Sequence, residues 1–220
     1  KCPRRIENKL LGRPESSPHY NLVLGKIVHA QIANLLAGKR VNPDYSLFPE
    51  AASVMQVHIQ RPLDNLMKFL LEAELNTDLN KVQTELPLDM VMSYREDGNF
   101  MLHGDLDFYT DGTIIDFKSG VKRNTLENRR QLVAYEMLVR HNFHIDPEIP
   151  IKLFNVFLGG NQPMIYELNE KDKAKAGDSL LEEIDFMIGI ISLVEDGMSM
   201  PCQISMDCIA CEYRCICRGV

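Results

Sequence analysis

The chain has 220 residues, 45% of them hydrophobic, and a formal net charge of −7. That length predicts one domain with an elaboration, and that apolar content predicts a proper core. The acidity argues against a protein that coats nucleic acid, since neutralising phosphates needs Lys and Arg, and no apolar run reaches the length of a membrane span.

The opening Lys1-Cys2-Pro3-Arg4-Arg5 leads into polar sequence and reads as no secretory signal, so a cytoplasmic location is expected. The first residue is not Met, which leaves a trimmed or excised piece of a longer protein as an open reading. Ile27, Val28, Ala30, Ile32, Leu35 and Leu36 recur at helical spacing and predict a helix over 22–38. A second helix is predicted over 62–76, with Pro62 in its first turn. From Val82 the texture changes to strands: one ending at Val91-Met92, a turn at Glu96-Asp97-Gly98-Asn99, and a returning strand from Phe100 to Tyr109. Asp111-Gly112 predicts another turn and Thr113 to Phe117 a short strand. A helix follows from Leu126 to Arg140, then a buried strand from Ile151 to Leu158, a turn at Gly159-Gly160-Asn161, a partner strand from Met164 to Leu168, and a long amphipathic helix from Lys171 to Val194. This order predicts a single α/β or α+β domain over 1–220. Its parts are a helical 1–80, a sheet core 81–170, and a helix with a cysteine-rich tail 171–220.

The chemistry concentrates in His103-Gly104-Asp105-Leu106-Asp107 and Ile114-Ile115-Asp116-Phe117-Lys118-Ser119-Gly120. Asp116 and Lys118 are two apart on a strand and share one face, and a hairpin neighbour brings Asp107 beside Asp116. Facing carboxylates repel unless a cation bridges them, and hard oxygen ligands suit Mg²⁺ or Mn²⁺. Lys118 on that face can orient a water and offset charge on phosphorus. The plain alternative is a hairpin with solvent-facing Asp and Lys; Asp105 and Asp111 are read that way, as turn or strand-edge residues. His29, in Gly25-Lys26-Ile27-Val28-His29, offers an imidazole that would favour Mn²⁺ somewhat. Gln131 and Tyr135 are four apart on one helix face, placed to brace Lys118 or to touch a phosphate.

Six cysteines are present: Cys2 alone at the start, and Cys202, Cys208, Cys211, Cys215 and Cys217 near the end. Dense terminal cysteines read as metal ligands rather than as a disulfide framework. Cys208-x2-Cys211-x5-Cys217 needs a fourth ligand, which Cys2 supplies. Spacing alone leaves a [4Fe–4S] cluster and tetrahedral zinc both open. Basic runs at Lys1, Arg4, Arg5, Lys9 and Arg13, and at Lys122, Arg123, Arg129 and Arg130, mark a candidate phosphate path, with Tyr20 or Tyr109 as candidate stacking platforms.

Taken in order, Cys-Pro-Arg-Arg, Gly-x-x-x-His, Gly-x-x-Asp, Asp-x-Lys-Ser-Gly and Gln-x-x-x-Tyr resemble the RecB-type branch of the PD-(D/E)XK nucleases over nearly the whole chain. The resemblance implies a restriction-endonuclease-like mixed central sheet flanked by helices. It implies His29, Asp107 and Asp116 as metal ligands with the Phe117 carbonyl, Lys118 as the catalytic lysine, Gln131 and Tyr135 as the helix motif, and Glu85 at a less specific acidic position. One cysteine before these motifs and C-x2-C-x5-C after them resemble the iron–sulfur nucleases, among them the CRISPR-associated exonucleases of spacer acquisition and the AddB nuclease domain. On that resemblance Cys2, Cys208, Cys211 and Cys217 hold a [4Fe–4S] cluster that joins the two ends of the chain. Cys202 and Cys215 have no place in that pattern, and Cys215 competes with Cys217. The implied activity is a metal-dependent DNA exonuclease acting on single-stranded ends or overhangs. A phage RecB-like recombination nuclease and a catalytically quiet DNA-binding scaffold are the alternatives. No Walker-type phosphate loop is present, so an adaptation integrase or a helicase subunit would be a partner.

Overall fold

The computed structural model describes residues 8–12, 20–46, 49–72, 82–94, 98–110, 112–121 and 125–198. Cys2, Cys202, Cys208, Cys211, Cys215 and Cys217 lie outside these, as do Lys1, Arg4, Arg5, Arg13, Asp111, Lys122 and Arg123. The chain divides into two compact units: residues 24–177, and residues 1–23 with 178–220. Among the described residues the smaller unit holds the start of helix α1 (Tyr20–Leu36) and the greater part of helix α4 (Glu170–Glu195).

Helix α1 continues in the larger unit with Ile27, Val28 and Ile32 buried at helical spacing. Helix α2 (Ala52–Glu72) starts well before the predicted 62, and Pro62 falls in its interior instead of its first turn. An internal Pro costs roughly 3 kcal/mol. Met55, Ile59, Leu63, Leu66 and Phe69 form a buried stripe along the same helix, and at roughly 1.5–3 kcal/mol each their burial outweighs that cost.

Strands β1 (Leu86–Tyr94) and β2 (Gly98–Leu106) form an antiparallel pair; of the turn predicted over 96–99, Gly98 and Asn99 belong to β2, and Glu96 and Asp97 lie outside the described residues. The single returning strand predicted over 100–109 breaks at Asp107, after which β3 (Phe108–Thr110) enters a different sheet. That sheet runs β3, β4 (Thr113–Lys118), β5 (Lys152–Phe157), β6 (Met164–Glu167). Its outer pairs are antiparallel and β4 and β5 are parallel, joined by helix α3 (Leu126–Phe143). The result is a mixed α/β fold of helices and mixed sheets. The two parallel strands are buried on both faces, with Ile114, Ile115 and Phe117 in one and Leu153, Val156 and Phe157 in the other. Thr125 caps α3, its side chain accepting the Asn128 N–H at 3.3 Å.

The loops leaving β4 and β5 are locked together. Gly159 approaches so closely that a Cβ there would stand 2.4 Å from the Ser119 carbonyl oxygen. Asn65 of α2, buried, donates from Nδ2 to the carbonyls of Leu158 and Gly160 at 2.7 and 2.9 Å. Asn65→Ala leaves two carbonyls without this donor, so it is expected to lower unfolding stability by about 1–3 kcal/mol. Urea denaturation checks this, and a midpoint equal to wild type would refute it.

Candidate active site

The site begins where the β1–β2 pair and the sheet part company. Gln83 and Tyr109 exchange two backbone hydrogen bonds, at 2.9 and 2.8 Å, in the same register as the β1–β2 ladder. Continuing that register sets Glu85 directly opposite Asp107. Both residues sit outside regular strand, and Glu85 takes the left-handed φ of 49° that non-glycine residues rarely adopt.

Asp107 accepts twice. His29 Nδ1, on α1, lies 2.8 Å from its Oδ1, and the Phe117 backbone N–H donates to its Oδ2 at 2.7 Å. One ligand atom each from His29, Glu85 and Asp107 lie within 4.8 Å of one another. Burial disfavours charge on His29, but its hydrogen bond to Asp107 and the charges of Asp107 and Asp116 outweigh that and raise its pKa. The Glu85 carboxyl is also raised, first by partial burial and then by the Asp107 charge.

Asp116 and Lys118 point from β4 toward α3. Lys118 Nζ lies 2.7 Å from Asp116 Oδ2, an ion-pair distance, although no hydrogen bond is aligned on that oxygen. Burial pushes the Asp116 carboxyl up to about 6; Lys118 works against the shift and Asp107 adds to it. Lys118 Nζ also donates to Gln131 Oε1 at 2.7 Å, and Gln131 Nε2 donates to Tyr135 Oη at 2.7 Å. Of the two roles open to Gln131 and Tyr135, bracing Lys118 is therefore the one their geometry serves. Burial, then the Asp116 charge, pushes the Tyr135 phenol up, so it stays neutral. Tyr135 fits because position 104 is Gly: a Cβ there would come within 2.9 Å of the Tyr135 ring and of Leu138.

The donor set fits a hard divalent cation. It offers one imidazole and two carboxylates on one spot, with the buried Oδ2 of Asp116 lacking an aligned donor. Phe117 buries its ring edge-on against Phe69 and Phe108. A strand residue aims its N–H and C=O at the same edge, so its carbonyl faces the Asp107 side.

Glu85, held loosely in the sequence, is thus a full member of the cluster. Asn155 was missed. It pairs in register with Asp116, is fully buried, and neither polar atom of its amide has a hydrogen-bond partner. A lone amide inside the otherwise apolar run Leu153–Leu158 was the available signal. Asp105 is a strand-edge residue 3.8 Å from His103, as expected. Two features named for DNA have structural employment instead. Arg129 pairs with Asp172 at 2.8 Å and lies over the Tyr166 ring, and Tyr109 stacks on Phe143 with centroids 5.1 Å apart.

A fold comparison finds a crystal structure from Eubacterium rectale, described as that of a candidate exonuclease, at TM-score 0.55 and 11% identity, covering 97% of this chain and 85% of that one. A structure of SSO0001 covers 88% of this chain and 95% of its own at 14% identity, but its TM-score of 0.39 is too low to bear on the fold. No curated protein matches the sequence. A family model, the PD-(D/E)XK nuclease superfamily, matches residues 1–218. The chain belongs to that superfamily.

Proposed function

We propose that this nuclease is a metal-dependent DNA exonuclease acting on single-stranded ends or overhangs, in CRISPR spacer acquisition or in recombination and repair inside the cell. The observation that carries this reading is the convergence of His29, Glu85 and Asp107 within 4.8 Å beside the Lys118–Asp116 pair.

In this reading His29, Asp107 and Asp116, with Glu85 and the Phe117 carbonyl, hold Mn²⁺ or Mg²⁺. When bound, such a cation supplies Lewis-acid stabilisation of phosphate oxygens and acidifies an attacking water. Lys118 touches the reacting phosphate, orients the water and offsets the charge that builds on phosphorus. Water adds its oxygen to phosphorus, the bond from phosphorus to the leaving sugar oxygen breaks, the attacking water gives up a proton to solvent, and the leaving oxygen takes one from solvent. Gln131 fixes Nζ, and Tyr135 fixes Gln131, so the ammonium is aimed before substrate arrives.

Labelled single-stranded DNA with Mn²⁺ should be shortened progressively. Asp116→Ala and Lys118→Ala should each lower kcat by about 10²-fold or more. Shortening that survives Asp116→Ala would sink the site. Binding without cleavage by the wild type would instead mark a quiet DNA-binding scaffold.

Proton competition gives an independent check on the metal. Asp116 and His29 both have raised pKa values in the folded, metal-free protein. Each then contributes stability present at low pH, below 3.8 for Asp116 and 6.5 for His29, and lost as pH rises through the folded value, about 6 for Asp116. Mn²⁺ has to displace these protons. The rise in melting temperature on adding Mn²⁺ should therefore be larger near pH 8 than near pH 5. An equal or smaller rise at the higher pH would contradict the ligand assignment.

The same proposal gives Cys2, Cys208, Cys211 and Cys217 to a [4Fe–4S] cluster that staples the ends of the chain, supported by the resemblance of their pattern to that of the iron–sulfur nucleases. Anaerobically prepared protein should carry iron and sulfide and absorb in the visible, and Cys211→Ala should abolish both. A colourless preparation containing zinc would overturn iron in favour of a zinc staple.

A further inference from the structure

A cavity of about 130 Å³ opens in the larger unit, walled by Leu24 and Val28 of α1, His58 and Arg61 of α2, and Ser119 and Gly159. Val28 precedes His29 and Ser119 follows Lys118 in the chain, so the cavity adjoins the site just described. It lies where the parallel strands β4 and β5 end, and open α/β sheets bind ligands in the crevice beyond their carboxyl ends.

Its floor is built rather than incidental. Leu158 N–H donates to the Lys118 carbonyl at 2.8 Å and Gly159 N–H to the Gly120 carbonyl at 3.1 Å. Asn65 ties down the far side through Leu158 and Gly160. The contact that forbids a Cβ at position 159 brings the two loops together.

Its charge is also selective. The chain is acidic, at −7, and Arg129 and Arg140 of the same unit are taken up by Asp172 and Glu136. Arg61 is exposed and makes no ion pair or hydrogen bond among the described residues. A free guanidinium over a partly apolar recess suits a ligand with an anionic group and a flat apolar body. The volume, about 130 Å³, is well under the roughly 300–1,000 Å³ of drug-sized sites, which fits the base of one nucleotide and not a duplex.

We propose that this cavity receives one nucleotide of the DNA strand next to the phosphate being cut, with its base against Leu24 and Val28 and its phosphate on Arg61. The proposal rests on the nuclease reading. A recess of this size takes a base only from an unpaired strand, so the cavity is also a device selecting single-stranded ends.

The test is separable from catalysis. Affinity for a short fluorescein-labelled oligodeoxythymidylate is measured by anisotropy, with Ca²⁺ replacing Mn²⁺ so that the probe stays whole. Arg61→Ala is expected to weaken binding by about fivefold to tenfold, and to flatten the slope of log affinity against log salt by about 0.7, the value for one phosphate contact on a single strand. Val57→Glu, at a lining position 67% exposed, places an acid at the mouth and is expected to weaken binding at least as much. Both positions are exposed, so melting temperatures should match wild type. Wild-type affinity and salt slope in Arg61→Ala would overturn the proposal. If the variants behave as expected while wild type with Mn²⁺ leaves DNA intact, the cavity stands and the nuclease reading falls.

Discussion

Two acids, Glu85 and Asp107, face each other across a ladder at the point where one sheet gives way to another. Like charges directly opposed in an antiparallel pair destabilise it, so their survival there is a constraint on everything nearby. Pairing between β3 and β4 stops at Phe108 and Ile115, which frees the Phe117 N–H to donate to Asp107. Helix α1 presents His29 to the other oxygen, and that contact with the nearby acids raises the imidazole's pKa. The break in the strand at Asp107, the left-handed Glu85 and the position of α1 are thus parts of one arrangement.

The Lys118 half is built on the same logic at greater depth. From the Asp116 value of about 6 against an ordinary 3.8, ionising this carboxyl in place costs roughly 3 kcal/mol more than in water. That cost remains after the neighbouring Lys118 has offset part of the burial penalty, and Lys118 is itself held by Gln131. Asn155, buried beside Asp116 with its amide unsatisfied, adds a further cost of about 1–3 kcal/mol. A core selected for stability alone would hold apolar residues here. The unit accepts the deficit where its family does chemistry, and recovers stability in the apolar strands around it.

What was legible in the sequence follows the range of the forces involved. The helices and the β4–α3–β5 order came from local periodicity, and Asp116 with Lys118 from the period of two. The Asp-x-Lys strand and the Gln-x-x-x-Tyr helix met as expected because they are neighbours in the chain. Pro62 misled, because a proline at a helix start is the local rule and only the buried stripe from Met55 to Phe69 overrides it. The break at Asp107 was not visible, since Phe100 to Tyr109 is uniformly strand-like and the change of sheet is a tertiary event. Glu85 was weak for the same reason: its place depends on a single bridge between Gln83 and Tyr109. Arg129 looked like a phosphate contact until Asp172, forty-three residues on, claimed it.

The acidity of the chain raises a question that these pieces answer together. A polyanion approaching a body of net charge −7 gains nothing at long range, and at physiological salt fields fade over about 8 Å. Under the proposed function, attraction must then come from within a few ångströms of the scissile phosphate. The carboxylates of Glu85, Asp107 and Asp116 repel that phosphate until a divalent cation reverses the local sign. Metal and DNA are therefore coupled ligands: each strengthens the other's binding, and the coupling is reciprocal. Such a nuclease holds DNA weakly when it cannot cut it, and tightly when the site is complete. A basic surface would forfeit that discrimination, and so the negative charge that first argued against nucleic acid becomes a means of confining attack to strand ends that reach the metal.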